Sequence, residues 1–298
     1  METYLECIPC FFKQGIESAK ILGAGRKIQK QIVDRISGVI PSFPLEASPP
    51  EMGKIVHDII KEILGREDPY LELKKKSNQL ALAIYEKLRK KVRNSADRLL
   101  TGLELSTAGN IIDYGANHGV QPAKEVLKIL ERKIGVQDEK KFQYAEFKNK
   151  LKNSSMVLFL GDNAGEIVFD RLFIEEIKNL YPSKKIVYAV RETPVINDIT
   201  AEDAFFVGMD KVADIVSSGS VIPGTLLFMC SERFVDLFNK ADMVISKGQG
   251  NFETLYGANN FPDLFFLLTV KCGVVGGKFN AEPGDIILKK DRSSGREN

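Results

Sequence analysis

The sequence is short of the features that mark whole classes of protein. No apolar run approaches the ~20 residues that cross a bilayer, which excludes a membrane-spanning helix by pattern. Charge of one sign is missing too: 42 Lys and Arg stand against 40 Asp and Glu, a net charge of +2. That balance gives no field to draw the chain onto nucleic acid or a membrane surface. The first residues, Met1-Glu2-Thr3-Tyr4-Leu5-Glu6, are acidic and lack the basic-then-apolar order of a signal peptide. Cysteine is scarce, 4 in 298 residues, which is no disulfide framework for a chain of this length. There is no internal repeat and no low-complexity tract. These absences together lead us to expect a cytoplasmic protein whose partner is a small molecule. Nothing in the pattern speaks to oligomeric state.

What is present is an ordinary globular composition, 44% hydrophobic and 28% charged, with enough chain for a large core and one or two domains. The first half reads helical. Ile28, Ile32 and Ile36 recur every four residues, beside Val33, and form one apolar stripe. Ser48-Pro49-Pro50-Glu51 is a helix start, with a Ser cap, Pro at the first helical position and Glu three residues after the cap. The stripe Ile55, Ile59, Ile63 follows, and Gly65 is a fitting stop. A longer stripe runs through Leu80, Ile84, Leu88 and Val92. Residues 124–133 and 139–151 read as two further amphipathic helices.

From Met156 the rhythm changes to strands alternating with helices. Strands are expected at Met156–Leu160, Lys185–Val190, 212–216, 242–246, 264–270 and 285–289, with short helices at 201–207, 232–240 and from Phe252. Such alternation implies a mostly parallel sheet covered on both faces. The expected fold is therefore α/β: a three-layer α/β/α sandwich after a helical N-terminal domain, with domains at 1–150 and 151–298.

In a parallel sheet the carboxyl ends of the strands share one edge, where ligands bind. Four loops here meet that description: Gly161-Asp162-Asn163; 191–198, with Arg191 and Asp198; 217–225; and Ser246-Lys247-Gly248-Gln249-Gly250-Asn251. Asp162, Asn163 and Asp198 offer two carboxylates and an amide oxygen, a donor set suited to a divalent cation such as Mg²⁺ or Mn²⁺. Lys247 precedes a glycine-rich turn and a new helix, expected at Asn251, whose backbone N–H groups make an anion seat. The spacing is not that of a P-loop. Each feature has a plainer reading: Asn163 with Glu166 fits a capping box, and a Gly-rich turn beside a lysine is often only a turn. Cys7-Ile-Pro-Cys10 is half of a zinc pattern with no second half, so its thiols are expected to pack at a helix start. His57, between Val56 and Ile59 on a helix, reads as structural or surface.

Three motifs taken together carry a family resemblance: Gly161-Asp162-Asn163-Ala164-Gly165-Glu166, Pro194-Val195-Ile196-Asn197-Asp198, and Lys247-Gly248-Gln249-Gly250-Asn251. They resemble the domain-of-unknown-function eighty-nine family, described as metal-dependent damage-control phosphatases. Cys7-x-x-Cys10 and Ala108-Gly109-Asn110-x-x-Asp113 look like its compact prokaryotic-type branch. The resemblance implies an ion, Mn²⁺, Co²⁺, Ni²⁺ or Mg²⁺, held by Asp162, Asn163 and Asp198, with Lys247 meeting the substrate phosphate. It implies hydrolysis of phosphate esters of small metabolites, often sugar phosphates or damaged cofactor intermediates. Asn110, Asp113, Arg191, Gly248 and Gly250 are expected beside the substrate. Attack by water is favoured over a phospho-aspartyl route through Asp162, because the position where such enzymes carry a second Asp is Ala164. Two other classes fit less well. A methyltransferase-like or dinucleotide enzyme lacks its G-x-G-x-x-G after a strand, and a binding protein without turnover differs from an enzyme only in an assay.

Overall fold

The computed structural model describes residues 1–109, 139–257 and 262–291. Three helices come first: α1 (Cys7–Ile21), α2 (Arg26–Val39) and α3 (Pro49–Leu64). Their apolar stripes close on one another, with Phe11, Ile32, Ile36, Met52, Val56 and Ile59 in a core of their own. The α3 boundaries follow the local code. Ser48 and Glu51 form the capping box, and Gly65 at φ 62° ends the helix in the left-handed conformation, which costs glycine least.

Next come α4 (Leu71–Arg93), α5 (Arg98–Ala108) and α6 (Tyr144–Asn153). The α/β region then runs β1 (Met156–Leu160), α7 (Glu166–Leu180), β2 (Lys185–Val190), α8 (Ala201–Phe206), β3 (Asp214–Ser217), α9 (Glu232–Lys240), β4 (Met243–Lys247), α10 (Gly248–Leu255), β5 (Asp263–Thr269), α11 (Gly273–Phe279) and β6 (Ile286–Lys290). The sheet has 6 strands in the order β3-β2-β1-β4-β5-β6. All neighbours are parallel except β6, which runs antiparallel to β5.

Side chains alternate across this sheet, so both faces must be covered. Val157, Phe159, Tyr188, Ile245 and Phe265 share a core with residues of α4, α5 and α7. Leu158, Leu160, Val187, Val244 and Phe266 share one with Phe234, Phe238, Phe252 and Phe279 of α9, α10 and α11. This is the three-layer sandwich implied by the sequence pattern. Its larger core runs through residue 150 without a break, joining Leu88 and Leu103 to Phe159 and Phe173, and α6 straddles that position.

Several boundaries differ from the sequence reading. The helix expected from Phe252 starts at Gly248, and the strand expected at 212–216 is Asp214–Ser217. The helix expected at 139–151 starts at Tyr144. Helix α11 was not anticipated, since Gly273, Gly276 and Gly277 argue against a helix by propensity. The helix expected at 124–133 lies outside the described residues. No helix among the described residues is long and apolar enough to cross a membrane.

The strand order carries the functional consequence. The chain moves outward from β1 to β2 and β3, then returns to lay β4 on the other side of β1. The loops after β1 and β4 therefore part in opposite directions and leave a crevice at the carboxyl edge.

Candidate functional site

The loops after β1 and β2 are stitched together by their backbones. The Ala164 N–H donates to the Asn197 carbonyl at 3.0 Å, and the Ile199 N–H to that of Asp162 at 3.0 Å. Asn163 and Asp198 form an isolated antiparallel bridge. Residues about 35 apart in sequence thus meet: Asp162, Asn163 and Asp198 are 8%, 6% and 3% exposed. All three border one cavity of about 1050 Å³, whose other wall comes from α1, the start of α3, Tyr70 and the Lys271-Cys272-Gly273 segment.

Asn163 is not a cap. The helix it precedes is capped at Gly165, with φ 85°, and the Asn163 Nδ2 donates instead to Asp162 Oδ2 and Glu166 Oε1, each at 3.0 Å. The capping-box reading of this pair is therefore replaced by an amide bridging two carboxylates. The Gly165 N–H is held at 2.7 Å by Asn78 Oδ1 of α4.

Burial, and then repulsion from Asp198, pushes the Asp162 carboxyl up to about 7. Burial also raises Asp198, against the pull of Arg191, and lifts Glu166 to about 7 against Lys247. Burial disfavours the charged form of all three carboxylates, and the nearby Arg191, Lys247 and Lys271 only partly offset it. Among the described residues there is no group of three or more His, Cys, Asp or Glu side chains able to hold a metal. The donor set here is two carboxylates and an amide, all oxygen-bearing, which is the chemistry a hard divalent cation takes.

Lys247 ends β4 and is 1% exposed. Its Nζ donates to Asp170 Oδ1 at 2.8 Å and to the Ser106 carbonyl at 2.7 Å, with Glu166 Oε2 at 3.6 Å. Burial opposes its charge, but Asp170 and Glu166 outweigh that and hold the ammonium above its usual range. It does not border the large cavity but a small one of about 10 Å³ shared with Asp162, Glu166, Gly248 and Lys271.

Gly248 touches Asp162 closely. Its φ is 79°, and a Cβ there would sit 1.9 Å from Asp162 Oδ2. Because the helix starts here, the amides of Gly248, Gln249 and Gly250 are first-turn N–H groups, which a helix leaves without internal partners. The anion-seat turn expected before Asn251 is thus the first turn of α10 itself.

Arg191 does not border the large cavity. Its Nε donates to Asp198 Oδ2 at 2.7 Å, and its two terminal nitrogens to Thr225 Oγ1 at 3.2 Å and Asn251 Oδ1 at 3.0 Å. It ties its own loop to the 217–225 loop and to the first turn of α10. Asn251, fully buried, also donates to the carbonyls of Gly161 and Lys247 at 3.1 and 2.8 Å. Cys7 and Cys10 open α1 and, with Cys272, face the cavity. Asn110 and Asp113 lie outside the described residues.

The sequence reading passed over Asp170, Asn78 and Lys271, gave Asn251 no part beyond a motif and a helix start, and took Glu166 as a helix opener and capping-box partner. One signal was present: Glu166 and Asp170 stand four apart in an otherwise apolar stretch, which puts two acids on one helix face.

The sequence matches the family profile described as "Damage-control phosphatase ARMT1-like domain" over residues 3–287. The chain belongs to that family. It is 32% identical over 288 residues to a damage-control phosphatase of Archaeoglobus fulgidus, covering 95% of this chain and 97% of that one. To a damage-control phosphatase of Pyrococcus horikoshii it is 29% identical over 294 residues, covering 98% and 99%. A crystal structure of a DUF89 family protein from Pyrococcus horikoshii superposes with a TM-score of 0.85 at 29% identity, covering 98% of this chain and 100% of that one. The three motif loops described above all fall within the matched region.

Proposed function

We propose that this chain is a metal-dependent phosphatase of small phosphometabolites, damaged ones and sugar phosphates among them. In this reading Asp162, Asn163 and Asp198 hold a Mn²⁺, Co²⁺, Ni²⁺ or Mg²⁺ ion. The observation that carries it is the meeting of these three side chains on one cavity at the strand-order reversal, with both carboxylates raised by burial. The names of the two archaeal relatives supply the reaction class. Such an ion, when bound, polarises phosphoryl oxygens and lowers the pKa of water at an open position.

The chain's own residues do the rest. The first-turn amides of α10 and the charge of Lys247 face the region beside Asp162 and offset negative charge on the phosphoryl group. Lys271, on the cavity wall, adds positive charge, which also acts on Asp162 and Asp198. Asn163 bridges Asp162 and Glu166, and Arg191 fixes Asp198 in place. Asp162 is not cast as a nucleophile. Ala164, buried and apolar, stands where a phospho-aspartyl mechanism needs a second acid.

The test is a screen of phosphate esters against several divalent metals, with metal content measured on the purified protein. Asp162→Asn and Asp198→Asn should each abolish both metal retention and phosphate release. Turnover that survives chelation, or metal content unchanged in both variants, would overturn the assignment.

A further inference from the structure

We propose that His57 is a positioning residue for the metal site: its Nδ1 accepts the N–H of Ile196 and so holds the loop that presents Asp198. The inference rests on Asp198 being a ligand, as argued above. His57 lies on α3, outside the α/β sandwich, and is 1% exposed. The Ile196 N–H donates to it at 3.2 Å across 139 positions of sequence.

Ile196 needs such a partner. Its φ is 44°, in the left-handed region where a β-branched residue is a genuine outlier. Strained backbone of this kind persists only when its surroundings over-determine it, and it gathers at functional sites. The flanking bonds do part of that work. Asn197 accepts from Ala164, the Asp198 N–H donates to Val195, and Ile199 donates to Asp162. They close a turn around Ile196 and fix the chain after it, whereas His57 holds the amide of Ile196 itself. Ile196, Asn197 and Asp198 all border the cavity. The strained residue is thus the one that turns the loop toward Asp162.

The chemistry of the ring agrees. To accept at Nδ1 the imidazole must be neutral with its proton on Nε2. Nε2 is buried without a hydrogen-bond partner, and the ring lies 5.9 Å from that of Tyr70. Burial holds the ring's pKa down at about 4, with Asp58 and Asp68 raising it and Lys61 and Lys54 lowering it. A histidine that merely filled space would not need its acceptor, and leucine would serve as well. That difference separates the two roles.

Two measurements decide it. In the wild-type protein, ¹⁵N NMR should show His57 neutral and protonated at Nε2 near pH 6; a ring protonated at Nδ1 there overturns the proposal. In Mn²⁺ titration calorimetry, His57→Leu should bind about 10–100-fold more weakly, the usual cost of losing an outer partner of a metal site. Excess Mn²⁺ should restore its phosphatase rate, and its far-UV circular dichroism should match wild type before metal is added, which a general loss of folded protein would not allow. His57→Asn, whose Oδ1 stands near the place of Nδ1, should keep most of the affinity. If His57→Leu does not fold, His57→Asn against His57→Gln carries the test, because the Gln acceptor lies near Nε2 instead; equal affinities overturn the proposal. Wild-type affinity in His57→Leu removes this inference alone. A wild-type protein that binds no Mn²⁺ removes the metal reading and this inference with it.

Discussion

Replacing Lys247 separates two roles that its position combines. The ammonium sits in a buried cluster with Asp170, which also accepts from Ser106 Oγ at 2.6 Å and Tyr188 OH at 2.8 Å. Lys247→Met strands that carboxylate, and Glu166 beside it, away from water. Breaking a buried pair from one side costs about 3–5 kcal/mol. At about 2–3 °C per kcal/mol for a chain of this size, the melting temperature should fall by roughly 6–15 °C. A purely structural lysine should be replaceable if its partner is neutralised too. The double variant Lys247→Met/Asp170→Asn keeps hydrogen bonding toward Ser106 and Tyr188 and leaves only Glu166 without its cation, a carboxyl already raised to about 7 that takes up a proton readily, so stability should largely return. Activity should not. The lost charge toward the phosphoryl group is worth ~3 kcal/mol, about a hundredfold in rate. Lys247→Arg should recover only part, because the wider guanidinium does not occupy the same point. Urea unfolding and steady-state phosphate release at saturating metal measure the two quantities apart. A double variant that regains wild-type turnover along with stability refutes the phosphate role. A single variant as stable as wild type refutes the ion cluster.

Gly248→Ala should abolish metal binding, since its Cβ would lie 1.9 Å from Asp162 Oδ2, whereas Gly257→Ala, also at positive φ but with nothing within 4 Å, should cost only stability; calorimetry on both checks it. Replacing Cys7 and Cys10 by Ser should leave phosphatase activity within a few-fold of wild type, and stoichiometric zinc lost only in that double variant would contradict this. Asp162 and Glu166 are raised to about 7, so the folded apo protein keeps protons that the unfolded chain releases near 4; their contribution to stability therefore falls as pH rises from about 4 to about 7. A bound ion displaces those protons, so thermal stabilisation by Mn²⁺ should grow from about pH 5 to about pH 8, and a flat difference between melts with and without metal would refute it.

The parts legible in the sequence were those written in local patterns. Strands β1 and β2 are buried on both faces, so they read as unbroken apolar runs. The capping boxes at Ser48 and Thr200 are complete within four residues. Asp162, Asn163 and Asp198 were legible as strand-end residues, and the structure brings them together. What escaped was set by tertiary contact. The partner of Lys247 is 77 positions away, and nothing near Arg191 announces that its donors are engaged by Asp198, Thr225 and Asn251. The start of α10 was placed late because Gly248 and Gly250 argue against a helix by propensity. Their smallness has packing reasons instead: Asp162 crowds Gly248, and a Cβ on Gly250 would lie 2.3 Å from the Pro223 carbonyl. The local capping pattern of Asn163 and Glu166 was overruled because Gly165, at positive φ, takes the capping position and frees the amide to bridge carboxylates.

These contacts also give the helical part of the chain a definite task. The sheet places donors at its carboxyl edge, but a strand-end loop has few internal bonds to keep it in one conformation. Each motif loop, or the helix or strand flanking it, is held from outside by a different helix. Asn78 of α4 takes the Gly165 N–H, His57 of α3 takes that of Ile196, and the Ser106 carbonyl of α5 takes the Lys247 ammonium. The first two fix backbone conformations at positive φ, Gly165 at 85° and Ile196 at 44°, and the third fixes a buried charge. α1 and the start of α3 add the far wall of the cavity. A site with its donors on one element and its restraints on others keeps its geometry only while both are packed together. The shared core of α4, α5 and α7, where a Cβ on Gly102 would lie 3.2 Å from the Phe173 ring, maintains that packing.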